Sequence, residues 1–150
     1  MQRIGEIVGA DWNEFDLQRG IWSIPRERMK RRDAERGAHL VPLPPMLLAR
    51  IREWRRVDGD KATYVCPAPR QPKVNITREA VEKFYRRTLE LANKHSPHSW
   101  RSVFSTIARD AGKDPDLVEA QLDHLVGTKV QAAYDRAQRL ERRRELMTWY

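Results

Sequence analysis

Two short runs constrain the fold of this chain more than anything else in it. Ile21-Trp22-Ser23-Ile24 and His39-Leu40-Val41-Pro42-Leu43 carry β-branched and aromatic residues and are too short for helices, whereas from Thr77 onward apolar residues recur at helical spacing. Pro25 ends the first run, so the stretch between the two becomes the tip of a long hairpin. Pro42 has no N–H to give to a ladder, which predicts a sheet edge or the end of the pairing. Tyr64-Val65-Cys66 reads as a short third strand, followed by a Pro-rich loop to Val74. The expected class is α+β, mainly helical, with a small three-stranded antiparallel sheet near the N-terminus.

The helices follow from spacing and caps. Residues 2–11 read as a short helix through Ile4, Ile7 and Val8, and Pro45 to Arg56 as a longer one with Met46, Leu47, Ala49, Ile51 and Trp54. Thr77 predicts a capped helix to about Ala92, carrying Val81, Phe84, Tyr85, Thr88 and Leu91. Ser96-Pro97 is a cap and first-turn pair for a helix with Trp100, Val103, Phe104, Ile107, Ala108 and Ala111, stopped by Gly112. Asp114-Pro115 starts another, and a last helix from about Lys129 carries Val130, Ala133, Tyr134, Ala137 and Leu140.

Composition then narrows the partner. A chain of 150 residues, 40% of them apolar and five of them Trp, can bury the core of one domain. Its net charge of +8 favours a polyanion, either nucleic acid or an anionic membrane surface. No apolar run approaches the roughly 18–20 residues of a membrane helix, and residues 1–11 show no signal peptide. The lone Cys66 excludes an internal disulfide framework and fits a reducing compartment. A cytoplasmic nucleic-acid protein is the expectation. Basic residues concentrate at the hairpin tip (Arg26, Arg28, Lys30, Arg31, Arg32, Arg36) and in the tail (Arg136, Arg139, Arg142, Arg143, Arg144), either as backbone contacts or as solvated faces.

Metal-free cleavage of a phosphodiester needs a nucleophile that can hold the phosphate, fixed cations on its non-bridging oxygens, an acid for the leaving oxygen and a base for the nucleophile. Candidates occur in one order: Arg3, Lys30, His98 with Arg101 three residues on, His124 and Tyr134. Arg suits the clamp because its planar fork holds two oxygens and keeps its charge. Arg31 or Arg32 can replace Lys30 as a phosphate contact but not as a titrating acid. Tyr150 is a rival nucleophile without the spacing to His124; Tyr64 and Tyr85 read as core residues. Tyr134 itself lies on an apolar stripe that would accept a tyrosine for packing alone. His95 and His98 are spaced like metal ligands, but no Cys or carboxylate cluster supports them, so no metal is expected.

The ordered set resembles the catalytic domain of tyrosine recombinases, in particular the integrases of prophages and genomic islands. The resemblance runs through Arg-x-Gly-Glu at Arg3, Trp-x-Ile-Pro-x-x-Arg-Met-Lys ending at Lys30, Val-Pro-Leu, His98-x-x-Arg101, Leu-x-His124, Ala-Tyr134-x-Arg136 and Arg-Arg-x-x-Met-x-x-Trp near the end. It implies that Arg3 and Arg101 clamp the scissile phosphate, Lys30 protonates the leaving 5′ oxygen, His98 is the general base and His124 a further phosphate donor. Tyr134 would form the 3′-phosphotyrosyl link, with Glu6 supporting and Arg28, Arg31, Arg32 and Arg136 on the DNA backbone. It implies double-stranded DNA and other recombinase protomers, in a tetramer, as partners, and neither metal, ATP nor membrane.

Two departures stand out. The chain starts just before Arg3, so residues 1–150 are expected to be a catalytic domain truncated at its N-terminus, without core-binding and arm-binding domains. Asp123 stands before His124 where a small residue is commoner, adding negative charge near a phosphate site. The alternatives are a catalytically silent remnant that binds DNA or another protein, and a type IB topoisomerase, which shares the chemistry.

Overall fold

The computed structural model describes residues 1–30, 37–58, 61–124 and 136–150, with the side chains of 58 and 136–138 left aside. The two runs form the expected hairpin. Strands β2 (Ile21–Ile24) and β3 (His39–Pro42) pair antiparallel, Trp22 opposite Val41 and Ile24 opposite His39. Pro42 ends the ladder opposite Ile21, on an edge strand of the sheet.

The third strand is not the expected one. It is β1 (Phe15–Asp16), which pairs with β2 in the order β1-β2-β3. Two residues are too few to show a period in sequence; the strand exists because Phe15 stacks on Trp22 across it, ring centroids 5.3 Å apart. The tight return is closed by the Asp16 carboxylate, which accepts from the Gln18 and Arg19 N–H groups, and by Gly20 at φ +64°. Tyr64 makes only an isolated bridge to Asp11. The expected Pro-rich loop instead holds a separate hairpin, β4 (Pro67–Ala68) with β5 (Gln71–Asn75). Pro72 is tolerated in β5 because that sheet has two strands, and both are edges.

Among the described residues the rest is helical. Helix α1 (Ile4–Val8) is a single turn and a half, shorter than expected, because the chain leaves it at Gly9 so that Ala10 and Trp12 can bond with Val65 and Thr63. Helix α2 (Pro45–Asp58) runs as expected and buries Ile51. Helix α3 (Arg78–Arg87) is capped by Thr77, whose hydroxyl accepts from the Ala80 N–H, but it stops short of Ala92; Glu90 and Asn93 take left-handed φ values of 53° and 60°. None of its residues is buried, although its spacing suggested a core stripe. Helix α4 (Ser99–Asp110) follows a turn in which Ser96 and Ser99 cap each other's N–H groups. Helices α5 (Pro115–Gln121) and α6 (Arg136–Trp149) complete the described chain; the start of the last helix and Tyr134 lie outside the described residues.

Two apolar clusters hold these elements. One joins the sheet to α2 through Ala10, Trp12, Trp22, Ile24, Met29, Val41, Leu43 and Ile51. The other joins α4, α5 and α6 through Phe104, Ala108, Leu117, Val118, Leu122, Leu146 and Met147. Helix α6 also packs on β3, which links the two. Three of its arginines make contacts within the fold: Arg144 donates to the Gly20 and Arg19 carbonyls, Arg142 pairs with Asp114, and Arg143 is buried against Gln121.

Phe104 has no exposed surface, whereas Met46 is 86% exposed. Phe104→Ala is expected to lower unfolding stability by about 3–5 kcal/mol. Met46→Ser should change it by less than about 0.5 kcal/mol, both read from urea titrations.

Candidate active site

Arg3 precedes the first turn of α1, and Glu6 fixes it twice. The buried Glu6 carboxylate accepts from the Arg3 N–H at 2.8 Å and from Arg3 Nη1 at 2.9 Å. These two bonds restrict where the Arg3 guanidinium can point. Arg28, expected on the DNA backbone, is held by the Glu14 carboxylate at 2.6 and 2.8 Å and donates to the Glu6 carbonyl at 3.3 Å. Lys30 stands exposed two residues on, just after the buried Met29.

These side chains line one open cleft of about 1020 Å³. Its walls include Arg3, Glu6, Arg28, Lys30 and His98, with Arg78, Glu82, Tyr85, Arg86 and Lys94 from α3 and the segment after it. Six cationic side chains face two carboxylates there, so the cleft carries a net positive charge. The α3 contribution was missed in the sequence, although Arg78, Glu82 and Arg86 recur every four residues on one helix face. Tyr85 is not a core residue; it is half-buried in the cleft wall, and its hydroxyl accepts from Trp100 Nε1 at 3.0 Å. His95 packs its ring between Tyr85 and Trp100. Among the described residues no cluster of His, Cys, Asp or Glu could hold a metal ion.

Behind His98, Arg101 is buried in the first turn of α4. It donates to the Met1 carbonyl at 2.6 Å and to the Leu122 carbonyl at 2.7 Å, and its Nη2 lies 3.5 Å from His124 Nε2. Burial, and after it the positive charge of Arg3, lower the pKa of Arg101. His124 Nδ1 lies 2.5 Å from Glu119, which also pairs with Arg109. Burial pushes the Glu119 carboxyl up, but the hydrogen bonds from His124 and Arg109 together hold it below its ordinary value. A carboxylate on Nδ1 leaves Nε2 as the ring atom turned toward Arg101. Tyr134, Arg31 and Arg32 lie outside the described residues, as does the side chain of Arg136.

Asp123 does not line the cleft. Its buried carboxylate accepts from Arg26 Nη1 at 2.7 Å and lies 3.8 Å from His39 Nδ1. The sequence carried no sign of this pairing, because Arg26 and Asp123 are 97 residues apart. Burial, and then the charge of Arg143, push the His39 pKa down to about 3, with Asp123 opposing. Burial also lowers Arg143, to about 10.

The architecture is thus a small sheet and a helical layer that bring cations and His98 to one open cleft, with His124 behind it. The chain belongs to the phage integrase family, whose model matches residues 1–140. It is 32% identical over 149 residues to prophage integrase IntA of Escherichia coli (strain K12), covering 99% of this chain and 34% of that protein. It is 27% identical over 148 residues to the integrase of Shigella phage Sf6, covering 99% of this chain and 37% of that one. The chain therefore spans about a third of the length of these curated relatives. The crystal structure of XerA recombinase shares the fold, with a TM-score of 0.62 at 15% identity over 91% of this chain and 51% of that one.

His39 gives the site a pH signature. Its pKa is near 3 when folded against an ordinary 6.5. The unfolded chain therefore binds more protons between these values, and stability rises with pH across that window. The contribution is complete above about pH 6.5 and is lost as pH falls toward 3. In His39→Gln, the slope of unfolding free energy against pH from 3 to 6.5 should be shallower than in the parent chain.

Proposed function

We propose that this chain is the catalytic part of a tyrosine site-specific recombinase, which cuts and rejoins double-stranded DNA through Tyr134 without metal or ATP. The observation that carries the reading is the cleft itself. It gathers Arg3, Lys30 and His98 from three separate elements, with Arg101 and His124 linked directly behind.

In this reading a scissile phosphate sits between Arg3 and Arg101. Their charges meet the non-bridging oxygens, where negative charge accumulates as phosphorus becomes five-coordinate. Arg101 keeps an ordered position because two carbonyls hold its guanidinium, so little reorganisation remains for the reaction. His124, with Glu119 on Nδ1, is a further phosphate donor through Nε2 in its imidazolium form, in which both ring nitrogens carry a proton. His98 takes the phenol proton of Tyr134 as the phenolic oxygen attacks phosphorus. The P–O5′ bond breaks, and Lys30 supplies a proton to the departing O5′. The 3′-phosphotyrosyl ester conserves the bond energy, so a 5′ hydroxyl of a partner strand reseals the backbone by the reverse steps with no energy source. Arg28, Arg31, Arg32 and Arg136 serve the flanking backbone, and Glu6 holds Arg3.

DNA and further protomers of the same recombinase are the partners in this reading, within a tetrameric synapse. The process is integration or excision of a prophage or genomic island in the bacterial cytoplasm. Among the described residues no helix is long and apolar enough to cross a membrane.

A suicide substrate that loses a short strand on cleavage tests the reading. The expected result is a covalent protein–DNA adduct mapped to Tyr134 and absent from Tyr134→Phe. Arg3→Ala and Arg101→Ala should each form it roughly a hundredfold more slowly or worse. An adduct of undiminished yield in Tyr134→Phe, or cleavage that depends on a divalent metal, would overturn the assignment. DNA affinity should fall steeply with added salt, in proportion to the phosphates neutralised.

A further inference from the structure

Asp123 joins the two halves of the site although it is not among the residues that line the cleft. Its backbone has φ +57°, a left-handed turn that brings the chain out of α5 and into His124. Its carboxylate is 1% exposed and reaches back to Arg26 and His39. Arg26 is the bracket of the hairpin that carries Lys30. Its Nε donates to the Gly37 carbonyl on one leg at 2.5 Å, and its Nη1 lies 3.4 Å from the Met29 sulfur on the other. His39 pairs with Ile24 at the base of the same hairpin. On the opposite side of Asp123, the Leu122 carbonyl holds Arg101, and His124 lies against that same guanidinium. One carboxylate therefore couples the base of the Lys30 hairpin to the turn that carries the phosphate-binding groups.

A buried ion pair contributes little net stability, because desolvation offsets most of the attraction; its effect is on geometry. We propose that Asp123 is a positioning residue that, through Arg26, sets the hairpin so that the Lys30 ammonium reaches the leaving 5′ oxygen. This rests on the recombinase reading above, in which Lys30 is the acid. It predicts a defect confined to the proton-transfer part of cleavage. As the Tyr134 oxygen–phosphorus bond forms and the P–O5′ bond breaks, O5′ leaves as an alkoxide unless protonated. If sulfur replaces O5′, the P–S bond breaks to give a thiolate, which needs no proton because thiols ionise near pH 8.5, far below alcohols, roughly.

The test is single-turnover cleavage of matched suicide substrates, one with a bridging 5′ oxygen and one with a bridging 5′ sulfur. Asp123→Asn removes the charge while keeping a side chain that tolerates the left-handed turn. It should cleave the oxygen substrate roughly tenfold to a hundredfold more slowly than the parent chain, bind DNA equally well and cleave the sulfur substrate at the parent rate. Arg26→Lys, which keeps the charge but cannot span Asp123, Gly37 and Met29 together, should behave alike. It carries the test alone if thermal unfolding shows that Asp123→Asn has lost its fold. Parent rates on the oxygen substrate, or equal slowing on both substrates, would overturn the positioning role while leaving the recombinase reading intact. A parent chain that forms no adduct with either substrate would overturn the recombinase reading and the role of Asp123 with it.

Discussion

The buried guanidinium of Arg101 is the joint on which the site depends. It ties helix α4 to the Met1 carbonyl at one end of the chain and to the Leu122 carbonyl in the turn after α5, and it sits against His124. A buried cation that lost these partners would be left with an uncompensated desolvation cost of several kcal/mol, on the order of that for any buried ion. The first residues, α4 and the His124 turn are therefore held in one arrangement. Arg3 follows from that arrangement, because the segment that gives up the Met1 carbonyl leads directly into it, and Glu6 then fixes its side chain.

The same logic explains why so basic a chain folds around its charges. Several arginines that look like DNA contacts in the sequence are internal fasteners. Arg26 brackets the hairpin, Arg28 is held by Glu14, and Arg144 closes on the β1–β2 turn. Arginine suits this use because its fork satisfies two or more acceptors at once. Of these fasteners only Arg28 also lines the cleft, and three of the cleft's cations, Arg78, Arg86 and Lys94, come from α3 and the segment that follows it. That helix buries none of its residues, so its sequence serves the cleft wall more than the core.

The sequence singled out Arg3, Lys30, His98, Arg101 and His124, and the structure sets the first three along one cleft and the last two against each other behind it. The roles of Tyr85 and Asp123 were not legible. Tyr85 sits on a helix whose period implies a core stripe, but none of the residues of α3 is buried, and the ring forms part of the cleft wall. Asp123 looks like a stray charge beside a phosphate site; its partners Arg26 and His39 lie far away in sequence, and no local pattern announces them.

The fold divides along the same line. Sequence alone determined the β2–β3 hairpin, helix α2 and the starts of α3 and α5 at their Thr77 and Asp114 caps, because periodicity, caps and breakers act within a few residues. Only the tertiary structure decided that Phe15–Asp16 rather than Tyr64–Cys66 completes the sheet, through a ring stacked across strands. It alone decided that Asp123 is neutralised by Arg26 and that Arg101 is held by backbone carbonyls. Those outcomes depend on which surfaces bury one another, and burial sets the energy of a ring or a charge only after the chain has come together.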